Sequence, residues 1–143
     1  MQLMRCLKIL KTIVKLAFDT NVVIAYREGI SEGCNRVEET NEIILSVTVI
    51  GALQNGAINC TKTRNNEKFV HKFAGYFRVF PIDESVAAYY VWVRLSLDQR
   101  GNQILRNDIW IAAACTDLEV PLISRDEHFK EVPGLNVISW DNT

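Results

Sequence analysis

The apolar positions of this chain fall into short blocks, and the blocks alternate between two kinds of spacing. Leu16-Ala17-Phe18 is an uninterrupted apolar run that stops on Asp19, Thr20 and Asn21. An apolar run closed by a polar turn is the pattern of a central parallel strand, buried on both faces. Glu42–Leu45, Arg78–Phe80, Pro121–Ser124 and Leu135–Ile138 predict four more strands. Between them the apolar residues recur at helical spacing. One helix is expected from about Thr20 to Arg27, ending near Gly29, and a polar amphipathic one over Ser31–Thr40. Another is expected over Val47–Cys60, with Val49, Ile50, Leu53, Ala57 and Ile58 in a stripe. Thr61–Tyr76 reads as a basic helix. Asp83 reads as the N-cap of a long helix through Leu97 that Gly101 ends. Asn107–Leu118, with Ile109, Trp110, Ile111 and three consecutive alanines, is apolar enough to be buried on most sides. Strands alternating with helices predict an α/β protein, a three-layer α/β/α sandwich around a central parallel sheet.

At 143 residues, with no repeat and no linker-like stretch, the chain is read as one domain over residues 15–143. Residues 1–14 precede it as an extension. That extension is either an amphipathic helix, with Leu3, Leu7 and Leu10 on one side, or an extended segment. It lacks the small-residue cleavage site of a signal peptide. No apolar run approaches the roughly 20 residues of a membrane-spanning helix, so no membrane association is expected. Cys6, Cys34, Cys60 and Cys115 are widely spread, and with only His71 and His128 beside them a zinc site is not expected. They read as reduced thiols of a cytoplasmic protein. A net charge of −1 gives no global basic field, though a local patch suffices to bind nucleic acid. Lys62, Arg64, Lys68 and Lys72 with Arg78 are candidates for RNA backbone contact; a solvated helix face is the commoner meaning of such a cluster. Core is the default for Trp92, Trp110 and Trp140, with a dimer surface as the alternative for Tyr89, Tyr90 and Trp92.

The acids change this picture. In open α/β sheets, ligands bind beyond the carboxyl ends of the strands. Asp19 follows the first strand and Asp126 the fourth, while Asp108 opens the most apolar helix. Each taken alone is explained by helix capping. Three carboxylates at one sheet edge are not, because like charges repel unless a cation lies between them. Hard oxygen ligands without His or Cys favour Mg²⁺ or Mn²⁺ over zinc. An aspartyl-phosphate phosphotransferase would need a second acid two residues after the first, and Asn21 stands there instead.

Taken together, DTNVVI (Asp19–Ile24), ILSVTVIGALQNGA (Ile44–Ala57), FPID (Phe80–Asp83), LDQRGNQILRNDIWIAA (Leu97–Ala113) and LISRDEHF (Leu122–Phe129) resemble the PIN-domain family, and within it the VapC-type toxins of toxin–antitoxin pairs. The resemblance spans about Leu16 to Trp140. It implies an α/β/α sandwich and a Mg²⁺- or Mn²⁺-dependent endoribonuclease acting on RNA. It also implies a cognate antitoxin protein as partner and a homodimer. Carried over by motif, the family's acids fall on Asp19, Asp108 and Asp126, with Asn21 and Ser124 as supporting polar residues. One position departs from the pattern. Where the family's ELxxG motif has glutamate, this chain has Ala52, followed by Leu53-Gln54-Asn55-Gly56. Alanine suits a helix, so the fold is expected to stand while one site carboxylate is missing and activity is impaired. A natural loss and a deliberate inactivating substitution both fit, the second being a sensible precaution with a toxic nuclease. A module that kept the fold and only binds RNA or protein is the rival reading.

Overall fold

The structure is a computed structural model and describes residues 14–58, 63–101 and 103–140. In chain order these form β1 (Lys15–Phe18), α1 (Thr20–Arg27), α2 (Ser31–Glu39), β2 (Glu42–Ser46), α3 (Val47–Ile58), α4 (Thr63–Tyr76), β3 (Arg78–Phe80), α5 (Glu84–Gln99), α6 (Arg106–Leu118), β4 (Leu122–Ile123) and β5 (Val137–Ile138). A 3₁₀ turn over Glu127–Glu131 separates the last two strands.

The five strands make one parallel sheet in the order β3-β2-β1-β4-β5. Ala17 of β1 stands between Ile44 of β2 and Leu122 of β4. β1 is thus central, as its unbroken apolar run implied. The chain builds the sheet outward on one side of β1 and then crosses to the other side, making the β1–β4 boundary the switch point where α/β sheets open a crevice. Ile43, Ile44 and Leu45 are all buried. Because consecutive strand residues point to opposite faces, both faces of the sheet are covered, as a three-layer sandwich requires. The core centres on Phe18, Val22, Val23, Leu45, Leu122, Ile123 and Phe129, all at most 1% exposed.

The helices pack in pairs along the chain: α1 on α2, α3 on α4 and α5 on α6. The α1–α2 approach depends on Gly33, because a Cβ there would lie 2.8 Å from the Cβ of Ala25 and 3.0 Å from the backbone nitrogen of Tyr26. A second small core, Val86 with Ala113 and Ala114, joins α5 to α6, and Tyr90 stacks on Trp110 with ring centroids 4.0 Å apart.

Local chemistry sets the boundaries. Asp83 caps α5 by accepting from the Val86 amide, as its sequence position predicted. α6 begins at Arg106, one residue before the expected Asn107, and α4 at Thr63. The expected ends of the neighbouring helices at Cys60 and Thr61, and the extension over residues 1–13, lie outside the described residues. One core expectation is corrected. Trp140 is buried and Trp110 half-buried, but Trp92 is 45% exposed on the outer side of α5 with Val91 and Leu95. The helical stripe that points inward on α5 is Val86, Val93 and Leu97, and Trp92 falls outside it. Cys115 is buried and Cys34 partly buried, both as free thiols.

Candidate active site

Asp19 is the residue at which β1 becomes α1, and its backbone amide still bonds the Ile123 carbonyl of β4. Its side chain has two occupations. Oδ1 accepts from the Thr20 amide at 2.8 Å, which caps α1. Oδ2 accepts from the Ser124 hydroxyl at 2.7 Å and from Asn21 Nδ2 at 3.3 Å. Capping and site membership are therefore not rivals at this residue. Asp19 is 2% exposed, and no cation of the described residues lies within ion-pair distance of it.

Ser124 follows β4 and is equally buried; besides donating to Asp19 it accepts from the Asp126 amide at 3.1 Å, which turns the chain toward the cluster. Asn21 lies between the two acids. Its Nδ2 is 3.3 Å from Asp19 and 3.4 Å from Asp126 Oδ2. The Trp140 indole N–H, which can only donate, gives its hydrogen bond to Asn21 Oδ1 at 2.9 Å. That bond fixes which end of the amide faces the carboxylates.

Asp108 stands in the first turn of α6, whose N-cap is Leu105. Capping does not account for Asp108. Its Oδ2 lies 3.0 Å from His128 Nε2. The nitrogen is buried, so this close polar contact with Asp108 is made away from solvent.

The electrostatics tie the three acids together. Burial raises the Asp19 carboxyl above its ordinary value; the bonds from Ser124 and Thr20 oppose this, while the charges of Asp108 and Asp126 add to it. Asp108 is raised by burial first, then lowered by His128 and raised again by Asp126. Burial pushes the Cys115 thiol up to about 12, with the charge of Asp19 adding to the shift, so it is a protonated core group. Among the described residues, no three Asp, Glu, His or Cys side chains are drawn closely enough together to form a closed ion cage. The donors fit a hard cation all the same. Every one is a carboxylate oxygen, their mutual repulsion is what a cation relieves, and Mg²⁺ keeps much of its own water shell.

Ala52 lies on α3, which packs against α1 just after Asp19 and against α6, the carrier of Asp108. Its side chain is exposed, so the position has room for a longer one. Of the expected basic cluster, Lys62 and the side chain of Arg64 lie outside the described residues. Lys68, His71 and Lys72 are on α4 and line a hollow of about 650 Å³ that none of the three acids borders, and Arg78 is paired with Glu42 at 3.3 Å.

Two participants have little signature in the sequence. Trp140 is core, as expected, but also a hydrogen-bond donor to the site. A buried indole needs a partner for its N–H, and this is the one available signal. His128 has the sequence setting of a loop histidine; its contact with Asp108, twenty residues earlier, follows from the 3₁₀ turn.

Residues 16–135 match the family model of the PIN domain. The chain belongs to the PIN-domain family. This PIN domain is 27% identical over 128 residues to Ribonuclease VapC2 of Rickettsia felis, an alignment covering 86% of this chain and 96% of that protein. It is 24% identical over 121 residues to Ribonuclease VapC5 of Mycobacterium tuberculosis, covering 81% and 86%. Its fold is similar to that in the crystal structure of VapBC2 from Rickettsia felis bound to a promoter DNA fragment, with a TM-score of 0.82, 25% identity, and coverage of 90% of this chain and 100% of that one. The DNA-bound VapBC of Salmonella typhimurium gives the same TM-score at 20% identity, over 90% and 99% of the two chains.

Proposed function

We propose that this chain is an endoribonuclease dependent on Mg²⁺ or Mn²⁺, the toxin of a toxin–antitoxin pair, with activity reduced by Ala52. The observation that carries the reading is Asp19, a carboxylate buried at the switch point of the sheet, held by donors from Thr20, Asn21 and Ser124, electrostatically coupled to Asp108 and Asp126, and without a cation partner among the described residues. A buried charge left in that condition is unfavourable, and a divalent ion shared by the three acids relieves it. The relatives named as ribonucleases, similar over nearly the whole chain, support the same reading.

Asp19, Asp108 and Asp126 would hold the ion, and when bound it would supply charge for the phosphate and acidify water. Asn21 and Ser124 orient the Asp19 carboxyl by donating to it, and Asn21 donates to Asp126 as well. Trp140 keeps Asn21 from turning. His128 stands against Asp108 and limits its rotamers. The partners on this reading are RNA as substrate, an antitoxin protein as inhibitor, and a second copy of the chain, for which the exposed Tyr89 and Trp92 of α5 are available. Tyr90, by contrast, is engaged with Trp110. Cytoplasm is the matching compartment, and among the described residues no helix is long and apolar enough to cross a membrane.

The test is Ala52→Glu. Single-stranded RNA is expected to be cut by the Ala52→Glu variant with Mg²⁺ and not with a chelator, and at least about tenfold more slowly by the parent, a difference of roughly 1.4 kcal/mol in the barrier. Calorimetric titration with Mn²⁺ is expected to show tighter binding in Ala52→Glu. Ala52 itself favours a second reading, an inactive module that binds RNA or protein. Absence of any metal-dependent cleavage after Ala52→Glu would decide for that module.

A further inference from the structure

Arg125 sits between Ser124 and Asp126, at the edge of the carboxylate cluster, and is exposed. An arginine in that position would ordinarily fold onto a neighbouring acid. It makes no ion pair with any acid of the described residues. Its guanidinium lies instead over the indole of Trp140, 5.4 Å from the ring centroid, a cation–π geometry. That same indole, through its N–H, holds Asn21, which bridges Asp19 and Asp126. One buried aromatic ring therefore supports both the cluster's orienting amide and an unpaired cation at its rim. Parking the guanidinium on the ring keeps it from neutralising the acids and leaves its planar fork of N–H donors open to solvent.

We propose that Arg125, held on Trp140, binds a phosphate of the substrate RNA beside the carboxylate cluster. The proposal rests on the nuclease reading above and extends it to a specific phosphate-binding residue. Three carboxylates repel an incoming polyanion, so a fixed cation at their rim supplies the local attraction that a net charge of −1 does not. Arg125 suits this task better than the α4 lysines, which border a hollow away from the acids.

The experiment measures equilibrium binding of a short fluorescein-labelled single-stranded RNA to the chain as it stands, across a salt series, so that cleavage is not needed. Arg125→Gln is expected to bind at least roughly tenfold more weakly, the loss of a charge-assisted contact. The slope of log affinity against log salt should become shallower by about one. Arg125→Lys is expected to keep the slope while losing part of the affinity, because it keeps the charge and loses the fork. Thermal melts and Mn²⁺ titration should show the fold retained and ion binding not weakened in Arg125→Gln. If the parent binds RNA and Arg125→Gln matches it in affinity and slope, this proposal fails while the nuclease reading stands. If the parent binds no RNA, both fail. An Arg125→Gln defect confined to binding a protein partner, with RNA binding intact, also overturns it.

Discussion

A carboxylate that is 2% exposed and has no cation of the described residues beside it is an unusual thing for a core to contain. Asp19 endures there because the Thr20 amide, the Ser124 hydroxyl and the Asn21 amide all donate to it. Its place is set by the central strand, so it is the most preorganised of the three acids. In the Ala52→Glu background, Asp19→Asn keeps the shape and removes the charge. RNA cleavage is expected to fall by at least about two orders of magnitude, roughly 3 kcal/mol of transition-state stabilisation, with the fold retained by circular dichroism. Asp126→Asn is expected to lose less, because Asp126 lies on a turn and accepts one bond from Asn21 at 3.4 Å. Equal cleavage by Asp19→Asn and its parent, still requiring Mg²⁺, would remove the central residue from the mechanism. Asp19 and Asp126 are legible as strand-end acids, and Asn21 and Ser124 through the family motif. The Trp140–Asn21 bond is not, since it joins residues 119 positions apart and no spacing rule encodes such a pair.

At the scale of elements, the sequence is most informative where local chemistry is self-sufficient. The Asp83 cap and the unbroken β1 run each announce a boundary or a burial state without help from distant residues. β4 and β5 are only two residues long; their apolar runs are visible in the sequence, but their ends depend on pairing with neighbours. Trp92 departs from its expected core place because the residues around it on α5 are largely apolar, and only the partner helix decides which stripe faces inward. The α1–α2 contact is another property of the pair. Alanine is intrinsically better than glycine in a helix by about 1 kcal/mol, so Gly33→Ala would stabilise α2 in isolation. In the fold its Cβ meets the Ala25 Cβ at 2.8 Å and backbone at 3.0 Å. Neither atom belongs to a flexible side-chain end, so the helices must separate. The expected net effect is a destabilisation of about 1–3 kcal/mol, read as a lower urea midpoint with unchanged slope. An unchanged or higher midpoint would mean that α2 shifts freely.

The acid cluster also sets a condition on the molecule as a whole, because its charges are coupled to folding through pH. Asp19 and Asp108 are both raised above the ordinary carboxylate value of 3.8, so over the window just above that value the folded chain binds more protons than the unfolded one. Stability from these groups is therefore fully present below the ordinary value and is lost as pH rises through the folded values. Glu42, held low chiefly by Arg78, works in the opposite direction. The comparison that isolates the site is the parent against Asp19→Asn/Asp108→Asn, in which Glu42 and the other carboxylates away from the site cancel. Without metal, the double variant is expected to melt higher than the parent near pH 7, and the gap should narrow as pH falls toward the ordinary carboxylate value. A divalent cation competes with those protons, so Mg²⁺ should act in the opposite sense. At about ten times its dissociation constant it contributes roughly 1.4 kcal/mol, about 4–6 °C in a chain of this size. That rise is expected in the parent near pH 7, smaller near pH 5, and absent in the double variant. Equal Mg²⁺ stabilisation of both proteins would put the ion somewhere other than the β1–β4 switch point.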